Sequence, residues 1–552
     1  PPKSAANVIV ASNIGRIGKE ADADDLEVIR TGRPRLEFNA THDRYSVEEP
    51  LLDVSGAVIG ALGVSFPYAS GADLERDRQT ARDVQRFFAK HVISAANLMD
   101  PYPYSTAYSP DNAAQALVDA TIAHHPELLV LGMHVTLAHG GNVFLGSNIG
   151  RIGKLADDDD MRVVNTERAN HEVSEDGRRY EVELVLLDAA RRNIGALGVV
   201  FRYAASTDRA ALNARADAIR DEMAARIASP EALLAHAGQP LVANGTTDVP
   251  GYRGDFDHFA ADVNGGRLFL AGEDGAALEV FDLASGALRA SIGGFGVPHS
   301  MLLLPGANEL VVVDGSKPAQ VRDATSLALK RSFRLPAGAD SSAYDGATKH
   351  LWVVTGGKDV PLAYCDLLEI DPANGKVFRT VRIDDAHVEG IAVEAHGRRL
   401  FVNVTGKNRI DVFDKVTGSR IASWPVTAAK QNAPMALDEP NHRVFIVTRD
   451  PGMLLVIDSQ TGRFVASLRA PEHADQVLWD DIRKRAYVPG GDGFLGIYQR
   501  TAGDHYLELP RIATAPGAKT GLLVRALDRL YLAASPGDSR VGGAVLRYDL
   551  TP

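Results

Sequence analysis

Residues 12–19, SNIGRIGK from Ser12 to Lys19, return unchanged as Ser147 to Lys154. The match continues without a gap at an offset of 135 residues, from Val8/Val143 to Tyr68/Tyr203, with about half of the positions identical. Two copies of one module therefore occupy the N-terminal part of the chain, and this repeat sets the fold reading before any single motif does. The first copy begins part-way through: Pro1–Asn7 aligns with Thr136–Asn142, and nothing earlier matches 111–135. The expectation is an N-terminally incomplete module at 1–100 and a second module at 101–236, with a processed or removed N-terminus and any signal peptide out of view.

In the second copy, apolar residues recur at helical spacing over 111–123, with Asp111 as the expected N-cap. Strands are predicted at 128–136 and 142–147, separated by a turn at His139–Gly141. After the SNIGRIGK loop come a short acidic helix near 157–164 and two longer strands at 179–188 and 193–203. Amphipathic helices at 73–96 and 208–227 end the two copies. One helix, a meandering antiparallel sheet and a loop-helix insertion make an α+β pattern.

That order, with the motif Arg-Tyr-x-Val-Glu at 44–48 and 179–183 and Ile-Gly-Ala-Leu-Gly-Val at 59–64 and 194–199, resembles the Cache/PAS-like sensor modules of bacteria. The resemblance implies a small-molecule pocket between the sheet and the loop-helix insertion. It makes Arg16, Lys19, Arg44 and Tyr45, with Arg151, Lys154, Arg179 and Tyr180, the candidates for contacting an anionic or zwitterionic ligand. Guanidinium and ammonium groups form strong charge-assisted hydrogen bonds with carboxylates. Set against this, Gly15 and Gly18 can serve only a tight turn, with Arg16 and Lys19 paired to neighbouring acids.

The sequence GRIGK does not complete a phosphate-binding loop, because Glu20 or Leu155 follows the lysine where Ser or Thr is required. The acidic runs at 21–25 and 157–160 lack the glycine and the terminal glutamate of an EF-hand. Carboxylates placed ahead of a short helix instead favour its dipole.

From about Asp255 a second repeat appears, with a period of 41–49 residues. A polar turn leads into a β-rich run at 263–270, 306–313, 348–354, 396–403, 441–447, 483–488 and 527–532. A following strand carries Asp and a Gly turn, as at 278–286, 410–418 and 455–462. Seven units of short alternating strands read as a β-propeller with four-stranded blades, domain 237–552. The units resemble the YVTN-type family of seven-bladed bacterial propellers, whose members differ widely in function. Since 240–252 precedes the first inner strand and the chain stops after Leu550, the N-terminal segment is expected to complete blade seven.

Aligning the units brings Asp257, His299, Asp340, Glu389, Ala433, Asp475 and Lys519 into one column, expected at the start of the innermost strand beside the central channel. His258, His387 and His473 lie close by in sequence. Six ionisable residues in seven positions exceed the quarter that average composition would place there. Such groups can hold a divalent metal, with Asp257, Glu389 and Asp475 as candidate ligands, or do acid–base work. They can equally line a wet channel without chemistry. His258 and His299 sit one register apart and so need not point the same way.

The 552 residues, 45% of them hydrophobic and 24% charged, are ordinary for a globular protein of about three domains. A net charge of −12 and the lack of a basic stripe argue against a nucleic-acid partner. No apolar run of 18 residues exists to span a bilayer. One cysteine, Cys365, excludes an intramolecular disulfide and CxxC-type sites. Neither G-x-S-x-G nor H-E-x-x-H occurs. The reading is a periplasmic or secreted, noncatalytic small-molecule-binding or sensing protein whose propeller face would meet a protein partner. The alternative is a metal-assisted propeller lactonase or lyase using the channel acids and histidines.

Overall fold

The computed structural model describes the chain apart from residues 1–6, 69–72, 102–103, 106, 139–140, 237, 502 and 538–540. Most of the expected turn at His139–Gly141 therefore lies outside the described residues. The chain divides into two compact units, 1–239 with Thr551 and Pro552, and 240–550.

In the first unit the first copy forms α1 (Ala23–Thr31), β1 (Arg35–Phe38), β2 (Arg44–Leu52), β3 (Val58–Pro67) and α2 (Leu74–Ala89). The second forms α3 (Ala113–His124), β4 (Leu128–Leu137), β5 (Gly141–Ser147), α4 (Asp158–Thr166), β6 (Asn170–Val173), β7 (Arg179–Leu187), β8 (Asn193–Arg202), α5 (Arg209–Ala224) and the short α6 (Pro230–Leu233). Each element of the first copy begins and ends 135 residues before its counterpart, so the sequence repeat is a repeat of backbone. The sheets run β1-β2-β3 and β5-β4-β8-β7-β6.

The second sheet is not the simple meander expected. Strand β4 inserts between β5 and β8, and the edge strands β1 and β6 were not anticipated. Helix α3 is capped by Asn112 rather than Asp111: its side-chain oxygen accepts from the Gln115 amide at 2.7 Å. Asp22 and Asp157 build matching capping boxes with Asp25 and Asp160, so the acidic runs are helix starts. Gly15 and Gly18, like Gly150 and Gly153, hold φ between 73° and 86°, the left-handed region that the tight SNIGRIGK loop requires.

Alternation along β7 buries Tyr180, Val182, Leu184 and Leu186 with Leu117, Ile219 and Met223 of the flanking helices. Its other face presents Arg179, Glu181 and Glu183.

The second unit contains seven four-stranded antiparallel sheets in chain order, spanning 259–293, 298–333, 342–383, 388–425, 430–469, 478–513 and 520–550. The seventh has three strands of its own, Thr520–Val524, Arg529–Ala534 and Gly543–Leu550. Its fourth is β9 (Leu241–Val249), which pairs antiparallel with Gly543–Leu550. Apart from the second and third sheets, innermost strands of successive sheets touch, and the first touches the last, closing a propeller-like ring. The second and third sheets are tied by Ser300, whose hydroxyl donates to the Asp340 carbonyl at 2.8 Å.

The Asp and Gly of the sequence marker build the turn into the outer strands of the first, fourth and fifth sheets. Asp282, Asp414 and Asp458 accept amide hydrogens from Ser285, Thr417 and Thr461, and Gly286, Gly418 and Gly462 take φ near 75°. The second strand of the first sheet is buried nearly throughout, whereas its outer strand alternates between exposed and half-buried.

Candidate functional site

In the first unit, the eight ligand candidates are not gathered into one pocket. Arg16 and Lys19 are exposed on their loop. Arg151 donates to Asp100 at 3.0 Å and Lys154 lies 4.0 Å from Asp157, so both are tied to acids. Tyr45 and Tyr180 are buried and brace sheet to helix: their hydroxyls donate to Asp77 at 2.5 Å and Asn213 at 3.0 Å. Burial, followed by the Asp77 hydrogen bond, pushes the Tyr45 phenol up to about 12.

Arg44 and Arg179, equivalent in the repeat, each line a surface hollow. The first, about 450 Å³, is bordered by Asn39, Asp43, Ser65 and Phe66. The second, about 400 Å³, is bordered by Ile93, Glu172, Asp176, Glu181 and Val200. Arg179 is held there by donating to the Ile93 carbonyl at 2.5 Å, with Asp53 3.9 Å away.

Between the sheet and α4 lies a buried polar group. His134 Nε2 lies 3.3 Å from Asp160 Oδ1, its ring set edge-on to Phe144. Burial holds His134 down to about 4, outweighing the Asp160 charge. Burial, then the Asp160 hydrogen bond and charge, pushes the neighbouring Glu183 carboxyl up to about 9. Glu183 was visible as the last residue of the Arg-Tyr-x-Val-Glu motif, but its partners come from distant segments.

In the second unit the ionisable column does lie at the starts of the innermost strands: Asp257, Asp340, Asp475 and Lys519 just precede them, and His299 and Glu389 stand at their second positions. The ring splits into two unlike sectors. Glu389 accepts from His387 at 2.6 Å and stands 3.5 Å from Lys358 and 3.7 Å from Arg449. Arg449 also pairs with Asp475, which meets Lys519 at 2.8 Å, and Lys519 reaches Asp255 at 3.0 Å. Burial would raise Glu389, but His387 and the two cations hold it down at about 2. Glu389 and Asp475 are thus consumed by fixed cations.

The sector of the first three sheets is different. Asp257 accepts from the Nδ1 atoms of both His258 and His299, the latter at 2.7 Å, and His299 Nδ1 lies 3.6 Å from Asp340 Oδ1. The two histidines, one register apart, converge on one carboxylate. Burial opposes protonation of these imidazoles, yet Asp257 and Asp340 raise His258 to about 9 and His299 to about 10. Burial and the crowding of like charge push Asp340 up to about 6 and Glu273 up to about 7. Glu273 stands outside the column and was missed. His473 sits exposed in a left-handed turn and joins neither sector, and Ala433 is a buried gap in the column.

No family model matches the chain, and no curated protein does. Among solved structures, a chain of the crystal structure of the mitotic checkpoint complex is similar at 15% sequence identity, covering 56% of this chain and 92% of its own, with a TM-score of 0.46.

Proposed function

We propose that this is a noncatalytic, extracytoplasmic binding protein in which a tandem of Cache/PAS-like modules takes up a small zwitterionic ligand. A YVTN-type seven-bladed propeller would then present an interaction surface to a protein partner. The observation that carries the choice of ligand is the hollow at Arg179. One guanidinium faces Glu172, Glu175, Asp176 and Glu181 there. A plain anion would meet mostly like charge, whereas a molecule with both a carboxylate and an ammonium complements both parts of the lining. The metal-assisted alternative loses Glu389 and Asp475 to Arg449, Lys358 and Lys519, and keeps only Asp257 of its three ligands.

The test is calorimetric titration of the full chain with α-amino acids, simple dicarboxylates and diamines. Saturable binding of an amino acid, weakened at least tenfold by Arg179→Ala and by Glu181→Gln, supports the reading. Binding of dicarboxylates alone, or no binding at all, overturns it.

A further inference from the structure

We propose that Asp257, His299 and Asp340 form a binding site for a divalent first-row transition ion of the zinc or manganese type, at the inner edge of the first three sheets. The three side chains come from three successive sheets. Each offers one donor atom, and these atoms lie within 4.8 Å of one another. Ligands held about 2.0–2.2 Å from a tetrahedral ion stand roughly 3.3–3.6 Å apart. The His299–Asp340 separation of 3.6 Å already has this spacing, and the His299–Asp257 contact of 2.7 Å need open by about 0.6–0.9 Å.

Charge selects this sector over the rest of the ring. Among the described residues, Asp257, Asp340 and Glu273 form no ion pair with lysine or arginine, while every carboxylate of the opposite sector that belongs to the column has such a partner. Three half-buried carboxylates without a lysine or arginine partner favour a bound cation. An ion bound by Asp257, His299 and Asp340 supplies that positive charge from within the cluster. Asp257 Oδ1 stays within reach of His258, a carboxylate–histidine contact of the kind that orients metal ligands from behind. One imidazole nitrogen with two carboxylates suits zinc, manganese or iron(II) better than calcium or magnesium, which prefer all-oxygen shells. Three protein donors leave a coordination position for water or substrate.

The experiment titrates untagged, chelator-stripped full-length protein with Co²⁺, read by its visible absorption, and with Zn²⁺ in competition. A second donor group, His124, His125 and Glu222 of the first unit, is removed beforehand by Glu222→Ala. One Co²⁺ per chain is expected in that background, displaced by Zn²⁺ and not by equimolar Ca²⁺. His299→Ala and Asp340→Asn should each weaken it at least tenfold, and Glu389→Gln should leave it within twofold. Asp340 is the most exposed of the three ligands, so its variant reports even if His299→Ala fails to fold. Absence of Co²⁺ binding, equal binding by Asp340→Asn, or a loss on Glu389→Gln as large as on Asp340→Asn overturns the site. None of these readouts depends on the zwitterion titration of the N-terminal hollow.

Discussion

Arg483 of the sixth sheet is gripped by Asp528 of the seventh at 2.6 Å, and both side chains are 2% exposed or less. Asp480 adds a second carboxylate at 3.2 Å. The guanidinium is thereby fully paired across a sheet boundary that the backbone ladder does not cross. Removing one partner of a buried pair strands the other, which costs about 3–5 kcal/mol. Arg483→Ala should lower the unfolding free energy by about that amount in urea titration. The exposed pair Arg86–Asp83 should change it by under ~1 kcal/mol when broken.

Stability of the first unit should peak in mildly acidic solution. Glu183 keeps its proton up to about 9 in the fold against 4.5 for the free group, so the unfolded chain binds fewer protons and stability falls as pH rises through that window. His134 stays neutral down to about 4 against 6.5, so stability also falls as pH drops from 6.5 toward 4. Facing these groups are Asp160, Glu181, Asp157, Lys154, Arg151 and Asn170. Glu183→Gln still offers Asp160 a donor but carries no proton to lose. Thermal melts of wild type at pH 6 and pH 9 should differ by more than those of the variant. Equal differences would mean that Glu183 is not the titrating group.

Closure of the ring rests on β9. Leu241, at one end of its pairing with Leu550, is 1% exposed and packs in the core shared with Leu532 and Leu546. Leu241→Ala should cost about 2–5 kcal/mol, as for other buried leucines. Because the strand closes the seventh sheet, the loss should appear in the whole second unit. Amide exchange should therefore quicken in the first and seventh sheets together, and an effect confined to β9 would argue against a cooperative ring.

The two repeats made the architecture readable because each leaves a periodic trace: a fixed offset of 135 residues, and the Asp and Gly that its turns require. The site was readable only as a place. The column lay at the inner strand starts, as its period implied. Which acids remain uncompensated depends on Arg449 and Lys358, which stand outside the column and reach it only in three dimensions. Glu273 was hidden for the same reason. Between sheet and α4 the sequence motif showed Glu183, but its partners His134 and Asp160 come from other segments and meet it only in the fold.

The repeat also supplies an internal control. Gly18 and Gly153 hold nearly the same backbone, φ 84° and 86°, in identical local sequence. A Cβ on Gly18 would meet nothing within 4 Å, whereas one on Gly153 would lie 2.8 Å from the Ser105 Cβ and 3.1 Å from its amide nitrogen. Alanine at either position bears the cost of a left-handed residue, roughly 1–2 kcal/mol. Only at Gly153 must packing also give way, adding about 1–3 kcal/mol. Gly153→Ala should therefore melt several degrees lower than Gly18→Ala. Equal melting points would show that the segment around Ser105 yields freely, and that backbone conformation alone reserves these positions for glycine.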